Sequence, residues 1–102
     1  MIHPHTYIHP NAKVAPNAKI DPFSVIHQDV QIGEGSWIGS NVTIMEGARI
    51  GKNCKIHPTA EINVVEGYLG DSSILNAGVK IEGHRIEIGR EAYFDRGAYI
   101  GG

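Results

Sequence analysis

The chain has 102 residues, which allows one domain at most. Its 9 Lys and Arg residues lie singly among 11 Asp and Glu residues, for a net charge of -2, so no basic patch for nucleic acid is predicted. No apolar run reaches the roughly 18 to 20 residues of a membrane span and the start is not that of a signal peptide, so we expect a cytoplasmic protein without a membrane partner.

An apolar residue recurs at every sixth position through the first sixty residues. The series is Ile2, Ile8, Val14, Ile20, Ile26, Ile32, Ile38, Ile44, Ile50, Ile56 and Ile62. It then shifts by one residue to Leu69, Leu75 and Ile81, and shifts again to Ile88, Phe94 and Ile100. Six is not a multiple of 3.6 and most of these residues are β-branched, so the period excludes a helix and predicts a repeated short strand.

Each six-residue repeat has a second and a third regular position. Two residues before the series the side chain is mostly small, as at Thr6, Ala12, Ala18, Ser24, Ser36, Ala48, Cys54, Ala60, Gly67, Ser73, Ala92 and Ala98. Three residues after the series stand residue types that tolerate a positive φ, namely Asn11, Asn17, Asp29, Gly35, Asn41, Gly47 and Asn53. Residues two apart share a strand face, so each repeat is interpreted as a short strand followed by a tight corner.

Cys54, the single cysteine, is expected to be a small buried packing residue.

Three such repeats make an 18-residue coil in which residues 18 apart lie directly over one another. The sequence therefore predicts an all-β fold, a single-stranded parallel β-helix shaped as a triangular prism of about six coils. Residues 1–102 form one domain in this prediction. Neighbouring coils must supply the stability, as in any solenoid protein.

The repeats "IGEGSW", "IGSNVT" and "IGKNCK" resemble the motif of the left-handed β-helix hexapeptide-repeat acyltransferases. The left hand of the coil is implied by this resemblance. The first sixty residues are most similar to the start of the UDP-N-acetylglucosamine O-acyltransferases of lipid A synthesis. The stretch from Glu66, "EGYLGDSSILNAGVKIEGHRIEIGREAYFDRGAYIGG", is more similar to sugar O-acetyltransferases of the same superfamily.

This resemblance implies transfer of an acyl or acetyl group from acyl-carrier protein or CoA to a sugar or nucleotide sugar. It also implies a site between subunits of a homotrimer and no bound cofactor. In both families the catalytic base is a histidine in a later coil or loop, and neither histidine motif occurs before Gly102. The chain is therefore also expected to be the N-terminal piece of a longer enzyme.

The two extra residues, between Ile62 and Leu69 and between Ile81 and Ile88, are predicted to fall on one corner of successive coils. We expect them to stack into a ledge that borders a ligand groove, with His9, His27 and Met45 along the same edge. The substrate-binding candidates there are Asn63, Glu66 and Glu82.

His84, within the second lengthened corner, is the candidate general base, because an imidazole with a near-neutral pKa can accept a proton from an attacking hydroxyl. Asn76 is the fourth substrate-binding candidate, since it resembles an asparagine near the acceptor site of the sugar acetyltransferases.

Two alternatives remain open. The first is a non-catalytic structural or assembly β-helix. The second is a metal enzyme like the γ-class carbonic anhydrases, suggested by His3, His5 and His9, but their spacing dictates no third ligand and no metal site is predicted. The aromatic residues Trp37, Tyr68, Tyr93 and Tyr99 are expected to point outward and to mark a subunit contact.

Overall fold

The computed structural model describes residues 5–101, which form fourteen strands and no helix. Within that range there is accordingly no helix able to cross a bilayer. The strands are β1 Tyr7–Ile8, β2 Lys13–Val14, β3 Lys19–Ile20, β4 Val25–Ile26, β5 Gln31–Ile32, β6 Trp37–Ile38, β7 Thr43–Ile44, β8 Ala48–Ile50, β9 Lys55–Ile56, β10 Glu61–Leu69, β11 Ile74–Leu75, β12 Lys80–Ile88, β13 Tyr93–Phe94 and β14 Tyr99–Gly101.

These strands stack in parallel on three faces of a prism. The first face holds β1, β4, β7, the first parts of β10 and β12, and β14. The second holds β2, β5, β8 and the last parts of β10 and β12. The third holds β3, β6, β9, β11 and β13. The described residues thus make five complete coils and the first face of a sixth, which confirms the predicted left-handed parallel β-helix.

The prism interior is filled by the six-residue series. Six of its members are fully buried, namely Ile20, Ile26, Ile38, Ile44, Ile56 and Leu75. The smaller inward position includes buried serines, whose hydroxyls link one coil to the next. Ser36 Oγ donates to Gly51 O at 2.7 Å and accepts from Cys54 N at 3.0 Å. A serine is therefore tolerated in the core because its polar atom has partners in the backbone of the coil above.

Cys54 lies directly after Ser36 in this inward column and is itself buried, as predicted. Burial raises the pKa of its thiol, and its Sγ lies 3.2 Å from Gly70 O. The neutral thiol is thus a packing group in the interior.

Most residues with a positive φ lie at the corners between strands. Positive φ values occur where predicted at Asp29, Gly35, Asn41, Gly47 and Asn53. Asn11 and Asn17 do not adopt them. The same corner position has a positive φ at Phe23, Thr59, Ser72 and Glu91, residue types from which the sequence did not predict it. Stacking between coils therefore imposes this conformation on residues that seldom adopt it alone.

Candidate functional site

The two lengthened corners lie on the same edge of successive coils, as predicted. Thr43 pairs with Glu61, 18 residues later, whereas Glu61 pairs with Lys80, 19 residues later. Strands β10 and β12 run through this corner and pair along its length, with Asn63 opposite Glu82. The extra residue thus replaces the tight corner by continuous strand, and the two corners form a ledge of residues 63–66 and 82–85.

Four of the five candidate site residues lie on this ledge. Asn63, Glu66 and His84 are exposed, and Glu82 is half-buried. Glu66 stands opposite Arg85 in the strand register. The His84 imidazole has no hydrogen-bond partner among residues 5–101. The structure therefore brings the candidate base and three candidate substrate-binding residues to one edge, and no group of residues 5–101 orients the imidazole.

Glu82 is held by the coil above it. Tyr99 Oη donates a 2.7 Å hydrogen bond to Glu82 Oε1, and Lys80 Nζ lies 3.6 Å from Glu82 Oε2. The hydrogen bond from Tyr99, helped by the charge of Lys80, lowers the pKa of Glu82, and the same bond raises the pKa of Tyr99. Both carboxylate oxygens of Glu82, a candidate substrate-binding residue, consequently have protein partners.

Asn76 lies apart from the other candidates. It follows β11, at the corner between the third and first faces, whereas the ledge lies between the first and second faces. Its Nδ2 donates to Phe94 O at 2.9 Å. The structure therefore gives the Asn76 side chain a coil-linking bond and does not place it with His84.

Trp37 lies in strand β6 on the third face. Its Nε1 donates to Asp21 Oδ2 at 2.9 Å, and its ring meets that of His57 edge-on with centroids 5.0 Å apart. The indole is half-buried, so its polar edge is directed at the protein. This aromatic residue is therefore fixed by contacts within its own chain.

Two open grooves flank the ledge. One, of about 440 Å³, lies on the side of the shorter corners and includes Asn63, Asp29 and the exposed Val65. The other, of about 250 Å³, lies on the second face and includes Glu66, Arg49, Tyr68 and Arg85. Arg49 and Arg85 were not singled out from the sequence, and Tyr68 was predicted only as an outward-pointing aromatic residue at a subunit contact. Their signal was present, because Arg49 and Tyr68 each stand one residue before the buried series and so point outward in stacked strands.

The histidines near the start of the chain have other contacts. His5 stacks on Phe23 with centroids 5.6 Å apart, and His9 Nδ1 accepts a hydrogen bond from Asn11 N at 3.0 Å. His3 lies outside the described residues. Among residues 5–101 no group of three His, Cys, Asp or Glu side chains lies close enough together to hold a metal ion.

The repeats, the three stacked faces and the two-coil ledge define a hexapeptide-repeat β-helix domain. A family model described as the GMPPB C-terminal domain matches residues 2–101. The chain therefore belongs to the GMPPB C-terminal domain family. No curated protein matches it by sequence comparison.

Solved structures with the same fold include acyltransferases of nucleotide sugars. LpxA of Bacteroides fragilis, a UDP-N-acetylglucosamine acyltransferase, is 30% identical with a TM-score of 0.91, over 98% of this chain and 46% of its own. The UDP-N-acetylglucosamine acyltransferase of Francisella novicida is 29% identical with a TM-score of 0.82, over 99% of this chain and 45% of its own. PerB of Caulobacter crescentus, solved with CoA and GDP-perosamine, is 19% identical with a TM-score of 0.58, over 93% and 51%, and shares the fold. This chain thus spans about half the length of these structures.

Proposed function

We propose that this chain is the β-helix portion of a cytoplasmic acyltransferase that moves an acyl or acetyl group to a sugar or nucleotide sugar. The observation that carries the proposal is the ledge, which gathers Asn63, Glu66, Glu82 and His84 on one edge of two successive coils. The similarity to two UDP-N-acetylglucosamine acyltransferases at 29% and 30% identity supports a nucleotide sugar as the acceptor, and lipid A synthesis as the setting.

In this proposal His84 is the general base. Its imidazole accepts the proton of the acceptor hydroxyl while the hydroxyl oxygen attacks the carbonyl carbon of a thioester. The tetrahedral intermediate then expels the donor thiolate, which takes up the proton from the imidazolium. Asn63 and Glu66 hold sugar hydroxyls beside it, so most of the rate enhancement comes from positioning two bound substrates. The donor is acyl-carrier protein or CoA, because both present the acyl group as a thioester.

The active assembly in this proposal is a homotrimer with the site between subunits. The exposure of His84 supports this arrangement, since an imidazole without an orienting partner among residues 5–101 can receive one from a neighbouring subunit. Light scattering tests it directly: we expect a mass of three times the 11.1 kDa of the chain. A monomer at all concentrations would contradict the intersubunit site.

The experiment for the activity is thiol release from acetyl-CoA and from an acyl-carrier donor with a UDP-sugar acceptor, for the wild type and His84→Ala. We expect a loss of about 100-fold or more in kcat for His84→Ala, in the range of general-base catalysis. His27→Ala is the matched control, because His27 lies on the same edge three coils away. Equal rates for the two variants would remove His84 from the mechanism.

The second candidate function is a non-catalytic β-helix that serves assembly. Asn76 and Glu82 favour it, because the structure commits both side chains to bonds between coils. The family description as a C-terminal domain also agrees with a module attached to another domain. Acyl transfer by the wild type that His84→Ala abolishes would exclude it.

A further inference from the structure

The groove on the second face has an aromatic floor and a charged rim. Tyr68 stands in the strand register between Arg49 of the coil below and Glu87 of the coil above. On the ledge side, Glu66 and Arg85 face each other in the same two upper coils. The groove between them measures about 250 Å³, and Tyr68 is 46% exposed within it.

The charged groups of this groove are not paired with one another. Within residues 5–101 the one ion pair joins Lys80 to Glu82, so no carboxylate lies within 4.0 Å of the guanidinium of Arg49 or Arg85. Arg49 and Arg85 lie two coils apart, about 9 to 10 Å along the stacking direction at the usual strand spacing, and Arg85 is two residues nearer the ledge than Glu87, the residue in line with Arg49. Each guanidinium therefore has donors that no carboxylate of residues 5–101 occupies, one in the coil below Tyr68 and one in the coil above it.

We infer that this groove binds a nucleoside diphosphate, with the base against Tyr68 and the two phosphates held by Arg49 and Arg85. A guanidinium presents a planar fork of donors that matches phosphate oxygens, and a half-exposed aromatic ring offers a face for base stacking. Glu66 and Glu87 accept hydrogen bonds from the ribose hydroxyls in this arrangement. The groove borders the ledge, so a bound nucleotide directs its substituent toward His84.

This inference rests on the proposed function, because nucleotide sugars and CoA both contain a nucleoside diphosphate. The two sources are separable by experiment. Tighter binding of UDP than of ADP and CoA supports the acceptor as the occupant. The reverse order supports the donor. Either order supports the site.

The test is calorimetric titration of the full chain with UDP, ADP, CoA, uridine and inorganic pyrophosphate. We expect the nucleoside diphosphates to bind more tightly than uridine or pyrophosphate alone, because base and phosphates have separate contacts. Tyr68→Leu weakens binding by about fivefold or more, in the range measured for base–aromatic stacking, and Tyr68→Phe retains it. Arg49→Gln and Arg85→Gln each weaken binding, and the loss is smaller at high salt.

Tyr93→Leu is the matched control, because Tyr93 is a 64% exposed tyrosine on the third face, away from the groove. Equal binding by Tyr68→Leu and Tyr93→Leu, or no binding of UDP, ADP or CoA at millimolar concentration, would overturn the site. Failure of acyl transfer is a separate result. If nucleotide binding depends on Tyr68 but no acyl transfer occurs, this site is retained and the proposed function is excluded. If acyl transfer occurs and Tyr68→Leu has an unchanged KM, the proposed function is retained and this site is excluded.

Discussion

Val64 and Gly67 together fill the interior beside the first lengthened corner: a Cβ on residue 67 would lie 2.6 Å from Val64 Cγ2. In the next coil Gly83 pairs with Val64 and Ile86 pairs with Gly67. The large and small residues are thus exchanged between the two coils. This exchange lets two extra residues enter the stack while the interior stays filled.

Gly67→Ala is expected to destabilise the fold by about 1 to 3 kcal/mol, because the added methyl overlaps Val64 in a packed interior. The measurement is urea unfolding at a fixed protein concentration. The double variant with Val64→Ala supplies the control, since it removes the overlapping methyls, so its loss should be smaller than the sum of the single losses. Additive losses would show that the two residues do not share this space.

Thr59→Asn is expected to stabilise the chain by about 1 kcal/mol. Thr59 has a φ of 67°, which a β-branched residue adopts at a cost and asparagine tolerates. The matched control is Thr43→Asn, because Thr43 lies in strand β7, where asparagine is unfavourable. Thermal unfolding should shift upward for the first variant and downward for the second. A downward shift for both would contradict the strain argument.

Asn76→Ala is expected to lower the free energy of unfolding by about 1 kcal/mol, since the bond from its Nδ2 to Phe94 O links two coils. Asn63→Ala, an exposed residue of the ledge, should leave stability within about 0.5 kcal/mol of the wild type. In the acyl-transfer assay we expect a raised KM for Asn63→Ala and an unchanged KM for Asn76→Ala. A raised KM with unchanged stability for Asn76→Ala would return Asn76 to the site.

The contact of Tyr99 with Glu82 predicts a pH window for the attachment of strand β14. The folded state lowers the pKa of Glu82 below its ordinary value of 4.5, so this contribution is present above about pH 4.5 and is lost as the pH falls through the lowered value. The same hydrogen bond raises the pKa of Tyr99 above 10.0 in the folded state. The contribution of Tyr99 to stability is therefore present below pH 10.0 and is lost as the pH rises through the raised value.

Hydrogen exchange of the Ile100 amide provides the measurement. Tyr99→Phe should exchange faster than the wild type between these limits and at the same rate in acid below the lowered pKa of Glu82. Tyr93→Phe, on another face, is the control and should not differ from the wild type. A difference for Tyr99→Phe that persists unchanged in acid would mean that the carboxylate is not the partner.

The period of six residues by itself determined the stacked three-faced architecture of this protein, although not the left hand of the coil. A residue and its counterpart 18 or 19 positions later are neighbours in every coil, so counting along the chain is enough to assign each side chain to a face, the interior or a corner. The ledge of His84, Glu82, Glu66 and Asn63 followed from that count alone. The buried position of Cys54 followed in the same way.

The tertiary structure determined the hydrogen bonds, the strained backbone conformations and the groove, which counting along the sequence does not predict. Asn76 is a corner residue by its position, but its amide bond to Phe94 depends on the direction of a side chain between two coils. The left-handed backbone of Thr59 is imposed by the coils it joins, against the preference of the residue itself. The groove of Arg49, Tyr68 and Arg85 depends on the space that these side chains leave beside the lengthened corners. A repeat encodes which residues are neighbours, whereas bonds, strain and concavity depend on the shapes of the particular side chains placed there.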